Sequence, residues 1–362
     1  MSHTKPANGR EDEATPSRPS QMRFRRLGVI LKPNDSVDER LGVLNPACVR
    51  LRDGSLRLYP RLVAPGNVSR IGSYKAAERP DGTLEIEACG YALEPEASYE
   101  LRDQPGGYGC EDPRVTFVSA IDAYVMAYVA LGPRGPEVAI AISHDGISWR
   151  RVGLMSFQDS DAPFADKDAA FFPEAVRSPS GVESLAFYHR PTLQISVERG
   201  ELAFSALAEL PPIRREAIAI GYVPLAAVRA DLAAICTVTE THALELPPAA
   251  WGTVKVGGGT PPVRIDRGWL SVIHGVDELE HPSGAALLRY CAGIVIHDAE
   301  RLDRIVYRSY EPLFVPEARG EVYGTVGHVV FPTGIDRRDD RTFDIYYGMA
   351  DFEIGRGRLT LS

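Results

Sequence analysis

The sequence predicts an all-β protein, arranged as a five-bladed β-propeller with one short helical insertion, and three observations carry that expectation. Short runs of β-branched and aromatic residues recur from Arg26 onward. Asp-Gly and Gly-Pro pairs punctuate them, at Asp53-Gly54, Asp81-Gly82, Gly132-Pro133 and Asp145-Gly146, with the backbone freedom that hairpin turns demand. The strand-rich stretch is too long for one simple sandwich: about 340 residues, divided into four-stranded blades of about 65 to 70 residues, give about five.

Taken in order, strands are expected at residues 47–51, 56–59, 83–86, 115–118, 123–129 and 138–142, then at 185–188, 269–273 and 343–347. Ser143 to Trp149 reads as a blade-edge hairpin turn that returns Trp149 to the core. One segment breaks the pattern. Leu225, Val228, Leu232 and Ile235 recur at helical spacing, and Pro224 suits a first helical position, so a short helix is expected there. No clean repeated word accompanies the repetition of strands. Residues 1–22, rich in Pro, Ser, Lys, Glu and Asp and without the apolar core of a secretory signal, read as a disordered tail. Residues 23–362 are then a single folded domain.

At 362 residues, 44% hydrophobic and 25% charged, the chain has ordinary globular composition and can bury a substantial core. A formal net charge of -9 argues against nucleic acid or an anionic membrane as the main partner. No run reaches the roughly 18 apolar residues that span a bilayer. The five cysteines lie far apart, with no CxxC pair and an odd count, which points to neither a disulfide framework nor a thiolate metal site and suits a reducing, cytoplasmic setting. The eight histidines are dispersed without an HExxH spacing, so no metal is expected.

The most informative stretch is Glu111-Asp112-Pro113-Arg114, directly after Gly106-Gly107-Tyr108-Gly109-Cys110. Pro113 fixes its own φ and pushes Asp112 toward an extended backbone, so an acid and a guanidinium project from a rigid turn or strand entrance. Asn45-Pro46-Ala47 precedes it. Asp166-Lys167-Asp168-Ala169-Ala170-Phe171-Phe172-Pro173-Glu174 follows, with Tyr188-His189-Arg190-Pro191 after that. Next come Gly257-Gly258-Gly259-Thr260-Pro261-Pro262, leading to Gly268 through Val276, and finally Tyr346-Tyr347-Gly348-Met349-Ala350-Asp351. The triple glycine lacks the Lys-Ser/Thr of a P-loop and reads as close backbone approach.

Together and in this order, these segments resemble the signature segments of glycoside hydrolase family 130, the β-mannoside phosphorylases and related mannosidases, from about Leu44 to Asp351. The resemblance implies a five-bladed propeller with sugar bound in its central channel. It also implies inverting phosphorolysis of a terminal β-mannosidic bond in manno-oligosaccharides, or in mannosyl-glucose or mannosyl-N-acetylglucosamine, giving α-mannose 1-phosphate. No cofactor is implied beyond inorganic phosphate as co-substrate, and family phosphorylases often assemble as homo-oligomers.

By the same resemblance Asp112 is the general acid, its proton passing through a sugar hydroxyl. Glu111 and Arg114 stand beside it. Arg151 (or Arg150), Lys167, His189 and Arg190 would cradle the phosphate. Asn45, Arg61, Glu111, Arg114, Asp168, His274 and Asp351 would hold the sugar, with Tyr347 or Trp269 available for ring stacking, and His274, at a strand end before Gly275, reads equally as a structural histidine. Phosphate is already an anionic nucleophile, so the second carboxylate of an ordinary inverting glycosidase is not required. An inverting β-mannosidase using water is the first rival, with Asp166, Glu174 or Glu321 as the available base, and a non-catalytic carbohydrate-binding propeller is the second. Asp166, Pro60 and His328 depart from the family pattern, at positions that bear on subsites and linkage rather than on the acid.

Overall fold

A computed structural model of the protein describes residues 22–158, 165–192, 217–280 and 286–362. The tail expected over residues 1–22 lies, Met22 apart, outside these residues. The all-β expectation holds, and each strand read from the sequence overlaps an observed strand, with Leu51 and Thr83 lying one residue outside β2 and β5. After β1 (Arg23–Leu31), the strands β2 (Gly42–Arg50), β3 (Leu56–Ala64), β4 (Val68–Glu78) and β5 (Leu84–Leu93) form an antiparallel meander. A second meander, β6 (Tyr108–Val118), β7 (Ala123–Gly132), β8 (Gly135–Ser143) and β9 (Arg150–Leu154), joins it through a short parallel pairing of β4 with β6. Between β8 and β9, Asp145 accepts the amides of Ile147 and Ser148, and Trp149 packs edge-on against Tyr59 as expected.

Beyond β10 (Ser156–Phe157) lie β11 (Ala165–Phe171), β12 (Val176–Arg177), β13 (Glu183–Thr192), β14 (Ala219–Pro224), β15 (Thr237–Val238) and β16 (Glu240–Ala243). Their main sheet runs β11-β13-β14-β16. The fourth group comprises β17 (Lys255–Gly257), β18 (Val263–Ile265), β19 (Gly268–Glu280), β20 (Ala286–His297) and β21 (Ile305–Arg308). The last comprises β22 (Val330–Arg337), β23 (Thr342–Met349) and β24 (Glu353–Thr360), and β1 pairs with β24 to complete it. Apolar cores sit between successive groups: first and second, second and third, third and fourth, fourth and fifth, and again between fifth and first, where Tyr346 and Ile354 meet Leu58, Tyr74 and Val43. No helix among the described residues is long and apolar enough to cross a membrane.

The expected helix is split. Helix α1 (Leu225–Ala230) ends at Asp231, whose extended backbone lets its carboxylate accept the amide of Ala233 and start a separate 3-10 turn, Leu232–Cys236. Pro224 stands just before the first helical residue instead of on it. Leu225, Val228 and Ile235 still bury together between the second and third groups, because the helical period survives the break.

A repeated word does exist, and the structure gives its meaning. Pro95-Glu96-Ala97-Ser98-Tyr99-Glu100 and Pro316-Glu317-Ala318-Arg319-Gly320-Glu321 do the same work in two sheets. Glu100 accepts the amides of Glu96 and Ala97, the hydroxyl of Tyr128 (2.6 Å) and Nε of Arg151 (2.8 Å). Glu321 accepts the amides of Glu317 and Ala318, the hydroxyl of Tyr347 (2.9 Å) and Nε of Arg26 (2.8 Å). In both cases the tyrosine lies on the second strand of its group and the arginine on the outermost, so one buried carboxylate ties a loop across the sheet.

Candidate active site

The innermost strands of four groups share one irregularity. The pairing slips between Leu44 and Ala47 in β2, Glu111 and Arg114 in β6, Lys167 and Ala170 in β11, and Pro332 and Gly334 in β22. Such a bulge leaves residues unpaired and re-aims their side chains. At three of them a short polar residue takes the left-handed backbone that Asn and Asp tolerate: Asn45 (φ 46°), Asp112 (φ 46°) and Asp168 (φ 60°). The extended backbone expected of Asp112 before Pro113 is not observed: the bulge overrides that local preference, and Pro113 sits inside it, where a missing amide costs least. Ala350 and Asp351, directly after β23, adopt the same conformation.

The bulges bring distant residues together around Asp112. Asn45 Nδ2 donates to Asp112 Oδ1 (2.8 Å), and Arg61 Nη1 reaches the same oxygen at 3.3 Å. Arg61 Nη2 donates to Glu111 Oε1 (2.7 Å), and its Nε donates to Ser69. Arg114 Nη1 donates to the Asp112 carbonyl. The Asp112 side chain keeps 14% of its surface exposed, so the acid remains open to a ligand. Burial opposes its ionisation, but Arg61, Arg114, the Asn45 amide and Lys167 outweigh that and hold the carboxyl below its usual value. Asp351 behaves oppositely. Burial, with the negative charges of Asp112 and Glu111, pushes it up to about 6 against the pull of Arg61 and Lys167.

A second carboxylate anchors the other wall. Asp168 accepts from Arg114 Nη2 (3.2 Å) and Arg190 Nε (2.6 Å), and these cations overcome its burial and hold it ionised. His274 donates from Nδ1 to the Gly258 carbonyl (2.9 Å), and its Nε2 lies 3.9 Å from Asp168. Burial, reinforced by Arg190, Arg114 and Lys255 against Asp168, pushes the imidazole down to about 3, so it is a neutral ring. The glycine triplet is close approach, as expected: a Cβ on Gly257 would overlap His274 and Asp168, and one on Gly258 the Asp168 carbonyl. The positive charges beside Asp112 therefore come from three strands, Arg61 on β3, Arg114 on β6 and Lys167 on β11, and not from one loop.

Three expected site residues are placed elsewhere. Arg151 lies on the outermost strand of its group, where Glu100, Glu96 and the Glu94 carbonyl take up its guanidinium, so it is a brace and not part of a phosphate cradle; Arg150 is exposed on the same strand. Arg151→Ala is expected to lower unfolding free energy by about 1.5–3 kcal/mol, read by denaturant titration, while leaving the KM for phosphate within two-fold. Tyr347 is buried, packed on Phe314 and bonded to Glu321, so it cannot stack on a sugar. Alternation along β23 does not rescue its neighbour, since Tyr346 is buried in the next core. Trp269 likewise fills the core between the third and fourth groups.

His189 lies beside Arg190 but has both ring nitrogens occupied: Nδ1 donates to Asp166 Oδ2 (2.8 Å), and Nε2 pairs with the Thr241 hydroxyl (2.7 Å). Residues that the sequence reading passed over include Phe331, whose ring lies 5.5 Å from the Arg114 guanidinium and 4.5 Å from His274, and Ser69, which fixes Arg61. Phe331 stands next to the β22 bulge, and that placement is invisible without the strand register.

The sequence pattern of glycoside hydrolase family 130, described as β-1,4-mannooligosaccharide phosphorylase, matches residues 11–208 and 238–361. A 1,2-β-oligomannan phosphorylase of Thermoanaerobacter sp. (strain X514) is 26% identical over 344 residues, covering 92% of this chain and 96% of that protein. A β-1,2-mannobiose phosphorylase of the same strain is 25% identical over 282 residues, covering 75% of this chain and 76% of that protein. The solved β-1,2-mannobiose phosphorylase of Listeria innocua, in complex with β-1,2-mannobiose, shares the fold with a TM-score of 0.67 at 20% identity, over 93% of this chain and 96% of that one. With a match reaching from the first strand to the last, and with the segments around Asn45, Asp112, Asp168 and Asp351 folded into one cluster, the chain belongs to glycoside hydrolase family 130.

Proposed function

We propose that this protein phosphorolyses a terminal β-mannosidic bond with inversion, releasing α-mannose 1-phosphate, at the axis of a five-bladed β-propeller in which β1 closes the last blade. The cyclic succession of apolar cores, fifth group against first, supports that architecture. A phosphate oxygen attacks the anomeric carbon as the glycosidic C–O bond breaks. Asp112 supplies the proton that the departing oxygen needs, through a mannose hydroxyl in the route implied by the family resemblance. Asn45, Arg61 and Asp351 face the mannose, and Lys167 and Arg190 face the phosphate. The protein's own cations hold Asp112 ionised, which a proton donor cannot be. A phosphate dianion beside Lys167 and Arg190 offsets the positive field and raises the carboxyl toward its protonated form, so nucleophile binding prepares the acid.

One observation favours phosphate over water. Of the carboxylates available as a base, Asp166 accepts three hydrogen bonds, Glu321 is buried under Arg26 and Tyr347, and Glu174 is exposed. Lys167, by contrast, acts directly on the charge of Asp112. The test is incubation with β-1,2- and β-1,4-linked manno-oligosaccharides, with and without inorganic phosphate. Mannose 1-phosphate is expected, and only when phosphate is present. Free mannose formed at an equal rate without phosphate would replace this reading with the hydrolase.

A further inference from the structure

Asp166 is buried, and its carboxylate touches three consecutive parts of the cationic wall. Oδ1 accepts the backbone amides of Lys167 (2.8 Å) and Arg190 (3.0 Å), and Oδ2 accepts His189 Nδ1 (2.8 Å). The need for such a clamp follows from the register. Asp166 faces Pro191 across the β11–β13 ladder, and Pro191 has no amide to give. On the other side of the Lys167–Arg190 pair the ladder slips before Ala170. The two cations thus sit on a strand pair whose own hydrogen bonding is interrupted at both ends, and one side chain substitutes for what is missing. His189 extends the clamp outward to Thr241 on β16 while its ring packs at 5.1 Å on Phe157 and 5.4 Å on Phe187.

We propose that Asp166, braced by His189, is a positioning residue for phosphate: it contacts no substrate but sets the backbone from which Lys167 and Arg190 reach the nucleophile. The inference rests on the phosphorolysis reading above. Reacting groups must be held to a fraction of an ångström, and a displacement of about 1 Å can cost about 10²-fold in rate. An amide side chain at this position keeps one oxygen for both backbone amides and offers its N–H₂ to the other imidazole tautomer. Position, not charge, is what the clamp supplies.

The test compares Asp166→Ala and Asp166→Asn with the wild type, using steady-state phosphorolysis and direct calorimetric titration with inorganic phosphate. Asp166→Ala is expected to raise the KM for phosphate at least about ten-fold while the KM for the mannoside stays within two-fold, and Asp166→Asn is expected to restore both to near wild type. His189→Phe, which keeps the ring packing and removes the bond to Asp166, is expected to weaken phosphate binding about three-fold or more and serves if Asp166→Ala does not fold. Equal increases in both KM values, unchanged phosphate affinity, or an Asp166→Asn variant as impaired as Asp166→Ala would overturn the proposal. A wild type that releases mannose without phosphate overturns the phosphorolysis reading itself, an outcome that these variant comparisons cannot produce.

Discussion

Asp112→Asn is expected to lower kcat for phosphorolysis by roughly 10²- to 10⁴-fold, the range that a positioned general acid contributes, in a protein that folds normally. The substitution is nearly isosteric and keeps an oxygen for Asn45 Nδ2 and Arg61, so the β6 bulge and its contacts have no reason to rearrange. What disappears is the proton and the negative charge. Removing that charge leaves Arg61, Arg114 and Lys167 less compensated, so phosphate affinity should hold or tighten while turnover collapses. Measuring kcat together with calorimetric phosphate binding and a thermal melt separates these effects. Activity within ten-fold of wild type would show that the acid lies elsewhere, and Asp351, whose carboxyl already favours the protonated form up to about pH 6, would be examined next.

Asp344→Asn should produce the largest loss of stability, about 3–5 kcal/mol by chemical denaturation, because it removes one partner of a buried ion cluster and strands the others. Asp344 is fully buried on β23 and accepts from Arg356 (2.5 and 3.1 Å) and from Arg358 (2.7 and 3.0 Å). Arg356 is buried as well and also reaches Glu78 on β4 at 3.0 Å, so the cluster joins the last sheet to the first. Burial works against the Asp344 charge, but the hydrogen bonds from Arg358 and Arg356 prevail and hold its folded value below the ordinary one. A depressed folded value contributes stability above the unfolded pKa, near 3.9, that is lost as pH falls through the folded value. Wild-type stability should therefore drop on acidification below about pH 4, and the variant, already lacking this contribution, should show a flatter profile there. An unchanged denaturation midpoint for the variant would mean that the cluster contributes nothing net.

Much of this protein is legible in its sequence. The β-rich runs and their Asp-Gly turns announced an all-β chain, since strand propensity and turn chemistry are local properties. The Glu-Asp-Pro-Arg stretch stood out because proline and flanking glycines restrict the backbone whatever surrounds them, and Asp112, Asn45, Arg61, Arg114, Asp168 and Asp351 do converge. Arg151 and Tyr347 were legible only as residue types. The same guanidinium and phenol serve a sugar site or a buried brace, and which one depends on whether a Glu100 or Glu321 lies within reach.

Glu100 and Glu321 were themselves in plain view, within a word repeated at distant points of the chain, but nothing in the word reveals that a tyrosine two strands away points at it. Local sequence determined the strands, the turns and the Glu-Asp-Pro-Arg stretch around which the cluster forms, because those follow from backbone preferences and chemistry carried by a few adjacent residues. Only the tertiary structure decided which cations face Asp112 and which are consumed as braces, because strand register and bulges aim side chains through contacts between residues far apart in sequence.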